Sequence, residues 1–216
     1  MKITASCWVL IPSRRHDDPK AVAKGLADVG GASNVLITNC KAHADYEGKT
    51  LEEIAREKKT TAVDVYMQIV KDGGASVVCR SMIERDIKTF YTQPWVMVSS
   101  DGGIGGRHPR GAGTFPRVLG RFVREKRWLS LTEAVRKMTS APAERLGLAD
   151  RGLIRKGMKA DLVLFDAKRV IDRSTFKEPQ LLSEGIERVF VNGETVWENG
   201  KTTGRLPGAV LLKTNR

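Results

Sequence analysis

The sequence predicts an α/β fold that is followed by a small all-β region. Two observations support the α/β part: apolar, β-branched segments alternate with segments of helical spacing, and short turns separate them. A third observation marks the all-β part, because the chain beyond residue 150 consists of short apolar strands punctuated by glycine. We therefore predict two domains, at residues 1–150 and 151–216.

The first elements are predicted by residue content. Segments 3–11 and 34–38 are rich in β-branched, aromatic and aliphatic residues, which is typical of buried strands. A polar helix is predicted at 19–28, between these strands.

Two further helices carry signals for their N-termini. Thr50 and Glu53 have the spacing of a capping box at the start of a helix over 51–58. The same pattern recurs before a helix over 62–71, where Thr61 stands three residues ahead of an aspartate. Apolar residues recur at spacings of three and four in both helices, so each should pack on one face.

The middle of the chain has the order strand, helix, strand, over 75–81, 81–91 and 95–99. This order is typical of a parallel α/β layout. Another helix is predicted over 130–140, and a shorter one starts at Pro142 and is closed by a glycine.

The all-β region is predicted to contain strands at 161–165, 187–191 and 194–198. Asn192 and Gly193 stand between the last two, and this dipeptide is a strong hairpin signal.

Composition limits the classes of function. The 216 residues carry 37 basic and 25 acidic side chains, which gives a net charge of +12 and a pI near 9.8. Such a balance suits nucleic acid or an anionic substrate as partner, although the basic residues are spread along the chain and favour a generally basic surface.

Three cysteines without CxxC spacing argue against a disulfide framework or a structural zinc site. No apolar run approaches the roughly 20 residues that span a bilayer, and the N-terminus has no convincing cleavage site. We therefore predict a cytoplasmic protein without a membrane segment.

Asp101 follows the apolar run WVMVSS directly. In parallel α/β folds a residue just past the carboxyl end of a strand points into the active-site mouth, so Asp101 could bind a metal or move a proton. Most SDG tripeptides, however, place their aspartate in a tight turn. On the tripeptide alone, the turn is the favoured interpretation.

The segment GRHPR follows within a glycine-rich loop. Arg107 or Arg110 could hold an acidic substrate, because a guanidinium binds a carboxylate with two donors. His108 could carry a proton or bind a metal, or it could be a surface or packing residue. The glycines permit close backbone approach, but the segment lacks the pattern of a phosphate-binding loop.

Two other patterns have simpler explanations. The segment 116–128 carries four arginines at helical spacing, which suits nucleic-acid binding or, as we prefer, a basic solvated face. Cys40 and His43 have a spacing that a metal could use, but a third ligand is not evident nearby.

A resemblance to a known family is carried by four segments: ITNCKAHADYEGKTLEEIA, WVMVSSDGG, RHPRGAGTFPRVLGRFVRE and LSLTEAVRKMTSAPAERLGL. The ending, from GLIRKGMKADLVLFD to GIERVFVNGETVWENGKTTGRLPGAVL, agrees with them. These segments resemble the C-terminal half of N-acyl-D-amino-acid deacylases (D-aminoacylases), which belong to the amidohydrolase superfamily. The resemblance covers nearly all of residues 34–216.

The resemblance implies a fold and a reaction. It implies the last strands and helices of a (β/α)8 TIM-like barrel with a helical insertion, followed by a small portion of a β-sandwich. It also implies zinc, which activates a water that attacks the amide of an N-acyl-D-amino acid. Asp101 would be the general base and, more weakly, a metal ligand; Arg110 would bind the substrate's α-carboxylate, and His108 would line the same loop.

The sequence departs from the family in its histidines. There are three, at positions 16, 43 and 108, and no HxH pair to supply the zinc ligands. We therefore predict a truncated or split C-terminal portion, poorly active alone, which associates with itself or with an N-terminal half. Two alternatives stay open: a non-catalytic assembly fragment of the same fold, and a basic nucleic-acid-binding protein, which ranks last because no nucleic-acid motif is present.

Overall fold

The computed structural model of the chain describes residues 3–5, 17–103, 106 and 108–212. The part of the predicted first strand beyond residue 5 lies outside these residues, as do Cys7, His16 and Arg107. The helices are α1 (Pro19–Asp28), α2 (Leu51–Lys58), α3 (Ala62–Lys71), α4 (Glu84–Tyr91), α5 (Arg110–Arg117), α6 (Leu131–Met138) and α7 (Ser140–Leu146). The strands are β1 (Ile3–Ala5), β2 (Val35–Asn39), β3 (Ser76–Met82), β4 (Leu162–Phe165), β5 (Ile186–Val191), β6 (Glu194–Glu198) and β7 (Lys201–Thr202).

The chain divides into two compact units. The first contains Met1–Phe90, Gly103–Pro109 and Thr175–Gln180, and the second contains Tyr91–Gly102, Arg110–Ser174 and Leu181–Arg216. Each unit has its own sheet, which confirms a mixed α/β protein. The domain boundary at residue 150 stays a prediction.

The first unit has a three-stranded sheet in the order β1-β3-β2 and a core shared with α1, α2 and α3. The predicted capping box of α2 is confirmed, since Thr50 and Glu53 exchange hydrogen bonds with each other's backbone amides. Leu51 and Ile54, on the buried face of α2, are at most 1% exposed. The periodicity of the sequence therefore identified the packed face of this helix.

The parallel layout predicted from the order strand, helix, strand over 75–81, 81–91 and 95–99 is wrong: the first of these strands is β3, and β3 pairs antiparallel with both of its neighbours. Strand β3 pairs antiparallel with β2, with Val35 opposite Cys79 and Ile37 opposite Val77. The cause is the even number of helices between the two strands. A single crossover helix brings the chain back to the end of the sheet where the first strand began, so the next strand runs parallel to it. Here α2 and α3 pack as a pair and reverse the chain once more, so β3 runs antiparallel to β2.

The second unit has a four-stranded antiparallel sheet in the order β4-β5-β6-β7. The predicted hairpin is confirmed: Val191 pairs with Glu194, and Asn192 and Gly193 have φ values of 49° and 86°. Two successive positive φ values are the requirement of a type I′ turn, and asparagine followed by glycine meets it at low cost. An open apolar groove of about 580 Å³ lies beside this sheet and is lined in part by Trp197 and Leu206.

Segment 95–99 was predicted to be a strand, and this prediction is wrong. In the described part of the chain, residues 96–100 pair with no other strand. Apolar, β-branched residues favour an extended backbone, but a strand also needs a hydrogen-bonded neighbour. Here the backbone groups bond instead to helix α6.

Among the residues that the structure describes, no helix has both the length and the apolar character that a bilayer span requires.

Candidate active site

The segment that leads to Asp101 is held by side chains of α6. Arg136 Nη2 donates to the carbonyl of Pro94 at 2.7 Å, and Lys137 Nζ donates to the carbonyl of Val96 at 2.8 Å and to that of Gln93. The amide of Val98 in turn donates to the carbonyl of Lys137 at 3.1 Å. A helix thus supplies the partners that a neighbouring strand would normally supply.

Asp101 itself lies in a turn. Its φ of 45° is in the left-handed region, which aspartate tolerates better than most residues. The amide of Gly102 donates to Ser100 Oγ at 3.2 Å. Asp101 can have a functional role within this turn, because its side chain is 78% exposed and is open to a ligand.

Asp101 forms an ion pair with Arg110, the first residue of α5. Arg110 Nη2 lies 2.6 Å from Asp101 Oδ2, and the arginine side chain is 23% exposed. The structure therefore brings together two of the three residues that the sequence singled out. An exposed carboxylate beside a mostly covered guanidinium is an arrangement that can bind an anion and exchange a proton.

The turn after Asp101 approaches α5 closely. A Cβ atom on Gly102 would lie 2.5 Å from the Cα of Gly111, a separation that real side chains do not reach. Glycine at position 102 is therefore what allows the start of α5 to lie beside the turn. The close approach expected from the glycine-rich loop occurs here.

The other end of α5 is anchored by a buried ion pair. Arg117 Nε and Nη2 lie 2.9 and 2.5 Å from Asp172 Oδ2, and the Asp172 side chain is only 6% exposed. Gly113 lies against Ser174, where an added Cβ would come within 2.5 Å of the hydroxyl oxygen. These contacts fix the helix that carries Arg110.

The basic solvated face predicted over 116–128 is wrong in part. Arg117 binds Asp172, and Arg124 Nη1 donates to the carbonyl of Val170 at 2.6 Å, so both side chains are partly buried. Beyond α5 the helix continues as a π-helix over Val118–Glu125. Periodicity places the arginines on one face but does not show what packs against that face.

His108 belongs to the first unit. Its ring meets that of Phe176 edge-on, with centroids 5.4 Å apart, and the guanidinium of Arg80 lies 5.8 Å from the same aromatic ring. Its role as a residue that lines the substrate loop stays a prediction.

The described residues do not fit a zinc ion. They contain no group of three or more histidine, cysteine, aspartate or glutamate side chains that could hold a metal. Cys40 is buried, and His43 Nε2 lies 2.5 Å from Asp72 Oδ2 while its ring stacks on Tyr46. The hydrogen bond from His43 holds the pKa of Asp72 below its usual range.

Two residues that shape this site were not singled out from the sequence. Asp172 stands in a loop without a motif, and nothing local marks it as a partner of Arg117. Lys137 did carry a signal: it follows Ala134 by three positions, on the stripe of α6 that is buried. A lysine on an apolar stripe indicates a buried cation with specific partners.

Comparison with known proteins gives a consistent result. Residues 37–197 match the family described as the Amidohydrolase family. An N-acyl-D-aspartate deacylase of Alcaligenes xylosoxydans xylosoxydans is 40% identical over 182 residues, which are 83% of this chain and 36% of that protein. A D-aminoacylase of the same organism is 38% identical over 185 residues, covering 85% of this chain and 38% of that protein.

Solved structures agree. The crystal structure of N-acyl-D-glutamate deacylase from Bordetella bronchiseptica, complexed with zinc and a phosphonate mimic of the tetrahedral intermediate, superimposes with a TM-score of 0.77 at 35% identity. The match covers 94% of this chain and 39% of that chain. A D-aminoacylase structure studied for its binuclear metal centre has a TM-score of 0.74 at 40% identity, with coverage of 79% and 36%.

The chain thus spans between 36% and 39% of the length of these relatives. Together the matches confirm the resemblance carried by the segments between residues 34 and 216.

Proposed function

The chain belongs to the amidohydrolase family, and from this membership we propose that it contributes Asp101 and Arg110 to the hydrolysis of N-acyl-D-amino acids. The products would be a carboxylate and a D-amino acid. The observation that carries the proposal is the ion pair of 2.6 Å between these two side chains. Relatives named as deacylases of N-acyl-D-aspartate and N-acyl-D-glutamate support an acidic substrate.

Arg110 is proposed to bind the α-carboxylate of the substrate. Its guanidinium already bonds a carboxylate, that of Asp101, and a planar guanidinium suits a bidentate carboxylate. Because its side chain is only 23% exposed, a bound anion would be partly shielded from water, which strengthens the interaction. The substrate would replace Asp101 as the partner of Arg110.

Asp101 is proposed to transfer the proton. Once the substrate engages Arg110, the Asp101 carboxylate can accept a proton from the attacking water and deliver it to the leaving amine nitrogen. The new C–O bond forms as the water oxygen adds to the amide carbonyl carbon, and the scissile C–N bond then breaks as the amine nitrogen takes the proton. Asp101 is thereby returned to its carboxylate form. A carboxylate within hydrogen-bond reach of the reacting atoms is suited to this role.

Zinc would come to the site through other residues. The described residues hold no cluster suited to a metal, whereas the Bordetella bronchiseptica relative binds zinc. We propose that further polypeptide, in the same chain or in a partner, supplies the metal ligands. The roles of Asp101 and Arg110 in proton transfer and carboxylate binding do not require that either side chain bind metal.

The fold of the longer enzyme is part of the same proposal. Residues 1–150 would belong to a (β/α)8 barrel with a helical insertion, and residues 151–216 to a β-sandwich. The TM-score of 0.77 against a zinc-bound deacylase supports this arrangement.

The test is ligand binding to the 216-residue chain, because binding by Arg110 needs no metal. Isothermal titration with N-acetyl-D-glutamate should detect binding, and Arg110→Met should weaken it by about tenfold or more. Asp101→Asn should strengthen it by about threefold, since Asp101 then no longer competes for Arg110. Arg173→Met is the control, because Arg173 forms an exposed ion pair with Glu184 elsewhere.

Opposite signs for the two substitutions are the decisive result. Equal affinity for wild type and Arg110→Met, or equal affinity for a ligand whose α-carboxylate is replaced by an amide, would overturn the assignment of Arg110. Acetate release with added zinc, compared between D and L substrates, then tests turnover. Binding without turnover would favour the alternative of a non-catalytic subunit, which the lack of a metal cluster in the described residues supports.

A further inference from the structure

Lys137 is a charged residue that is fully buried, with an exposure of 0%. Removing an ammonium group from water is costly unless hydrogen-bonding partners replace the water. The chain already has an excess of positive charge, +12, so a buried cation is not required for charge balance. The position of Lys137 therefore calls for a specific explanation.

Its partners lie on one segment of the chain and on its own helix. The Nζ atom donates to the carbonyls of Gln93 and Val96 and lies 3.6 Å from Glu133 Oε1. Of these three oxygens, the two carbonyls accept hydrogen bonds from the ammonium group, and the carboxylate of Glu133 is its ion-pair partner. Two of them belong to the backbone of the segment that ends at Asp101.

That segment has few other means of support. In the described part of the chain no strand pairs with residues 96–100, so no sheet ladder holds them. Arg136 binds the carbonyl of Pro94, and the amide of Val98 bonds back to the carbonyl of Lys137. Lys137 thus makes most of the hydrogen bonds that take the place of a sheet ladder for this segment.

We propose that Lys137 is a positioning residue that holds segment 93–98 and, through it, sets the carboxylate of Asp101 beside Arg110. This inference rests on the proposed function, in which Asp101 moves a proton. Lys137 does not touch substrate or reacting atoms. Its ammonium group contacts the carbonyl of Val96, five residues before Asp101, and its own carbonyl accepts from the amide of Val98, three residues before Asp101.

A space-filling role makes a different prediction. The aliphatic part of a lysine can fill a core as methionine does, but methionine cannot donate to the carbonyls of Gln93 and Val96. Lys137→Met keeps the volume and removes the donors. If filling space were its whole contribution, this substitution would leave the segment unchanged.

The first measurement is amide hydrogen exchange of the 216-residue chain by mass spectrometry. In Lys137→Met, amides of residues 95–102 should exchange about tenfold faster or more, while those of β4 to β6 stay within about threefold of wild type. Arg136→Met, which removes one contact from a more exposed side chain of the same helix, should have a smaller effect. Lys137→Gln, which keeps a donor on a shorter side chain, is the second variant if the methionine variant does not fold.

Two results would overturn the inference. Unchanged exchange over 95–102 would mean that the carbonyl contacts do not hold the segment. Equal acceleration throughout the second unit would mean that Lys137 supports the unit as a whole and not this segment.

The second measurement is specific to Asp101 and uses N-acetyl-D-glutamate as the probe. If Lys137 acts through Asp101, Lys137→Met should raise affinity for this ligand about as much as Asp101→Asn does, and the double substitution should add nothing. A general structural role would weaken binding in both backgrounds. Should the wild-type chain not bind the ligand at all, the proposed function fails, and hydrogen exchange alone decides the role of Lys137.

Discussion

Asp101 and Arg110 stand at the two ends of a glycine-rich loop, and single residues decide whether they meet. Asp101 adopts a left-handed φ, and Gly102 lets the backbone pass within contact of Gly111. The ion pair between Asp101 and Arg110 follows from this backbone geometry as much as from charge. Position 102 has no room for a side chain, because an added Cβ would lie 2.5 Å from the Cα of Gly111.

Gly102→Ala should therefore destabilise the chain. The added Cβ would meet backbone at 2.5 Å, so the turn or the start of α5 must shift, at a cost of about 1–3 kcal/mol in the free energy of unfolding. Urea unfolding measures this change. Gly103→Ala is the matched control: no described residue lies within 4 Å of an added Cβ, and the expected change is below about 0.5 kcal/mol.

Comparable losses for the two glycine substitutions would show that Gly102 is not a point of close approach. Ligand affinity gives a second comparison of the two glycine variants. Gly102→Ala should change the affinity for N-acetyl-D-glutamate, whereas Gly103→Ala should not.

Sequence patterns identify candidate residues where the signal is local. Asp101 and Arg110 stand out because an aspartate ends an apolar run and an arginine follows in the glycine-rich loop. The structure pairs the two side chains, and their roles stay predictions. Asp172 depends on a contact 55 positions away, which no local pattern encodes. Lys137 has a place on the buried stripe of α6, but its partner Val96 is 41 positions away and no local pattern identifies it. Lysine is also the residue type that burial statistics place outside, so its type argued against its true position.

At the scale of elements, the helices whose ends carry capping signals were predicted almost to the residue. Helices α1, α2 and α3 begin with side chains that accept hydrogen bonds from the backbone: Asp18, Thr50 and Thr61. Such signals are local and need no tertiary partner. Strand pairing is different, because the direction of β3 depends on how α2 and α3 pack, and the extended segment before Asp101 depends on α6.

The capping box of α2 should make part of the stability depend on pH. The hydrogen bonds that Thr50 donates, first from its backbone amide and then from its hydroxyl, lower the pKa of Glu53 below its ordinary value of 4.5. A carboxyl whose pKa is lowered in the folded state stabilises the fold above its unfolded pKa. That stabilisation is lost as the pH falls through the lowered, folded pKa.

Glu53→Gln should accordingly lower the melting temperature near neutral pH by about 2–4 °C. The difference from wild type should shrink as the pH is taken below 4.5 towards the folded-state pKa of Glu53. Thermal unfolding followed by circular dichroism measures both effects. Glu52→Gln, an exposed acidic residue in the same first turn, is the control and should show a smaller difference.

A difference between Glu53→Gln and wild type that stays constant or grows at low pH would contradict this account. It would mean that the side chain at position 53 acts through packing and not through its charge.

At the scale of the whole molecule, the second unit leaves much apolar surface uncovered. Several of its large apolar side chains are at least four-fifths exposed: Ile154, Leu206, Val210 and Leu212. An open apolar groove beside the sheet adds to this surface. Exposed apolar surface of this kind favours association with another chain.

We therefore expect the chain to self-associate, and sedimentation velocity over a range of concentrations measures this. Combining Leu206→Ser with Val210→Ser should weaken association by about tenfold or more, because two highly exposed apolar side chains are removed. Lys201→Ser, an exposed polar position on β7, should leave it unchanged. A wild-type chain that stays monomeric at every concentration would contradict the expectation.

The family of the molecule was predictable because several separate segments carry it together, whereas the catalytic competence of the chain was not. Matches over 37–197 confirm the family, yet the sequence between those positions offers two histidines, one paired with Asp72 and one beside Phe176. A metal site needs several ligands that converge in space, and such convergence is a property of the whole fold.

The buried position of Lys137 has one more consequence. Among the described lysines it is the one that solvent does not reach, so an amine-reactive reagent can modify it only when helix α6 and the segment before Asp101 separate. Modification of this one amine would then be slow, because each event requires that separation. Its rate, compared with the rates for the exposed lysines, would report how often the segment before Asp101 separates from α6 in the native protein.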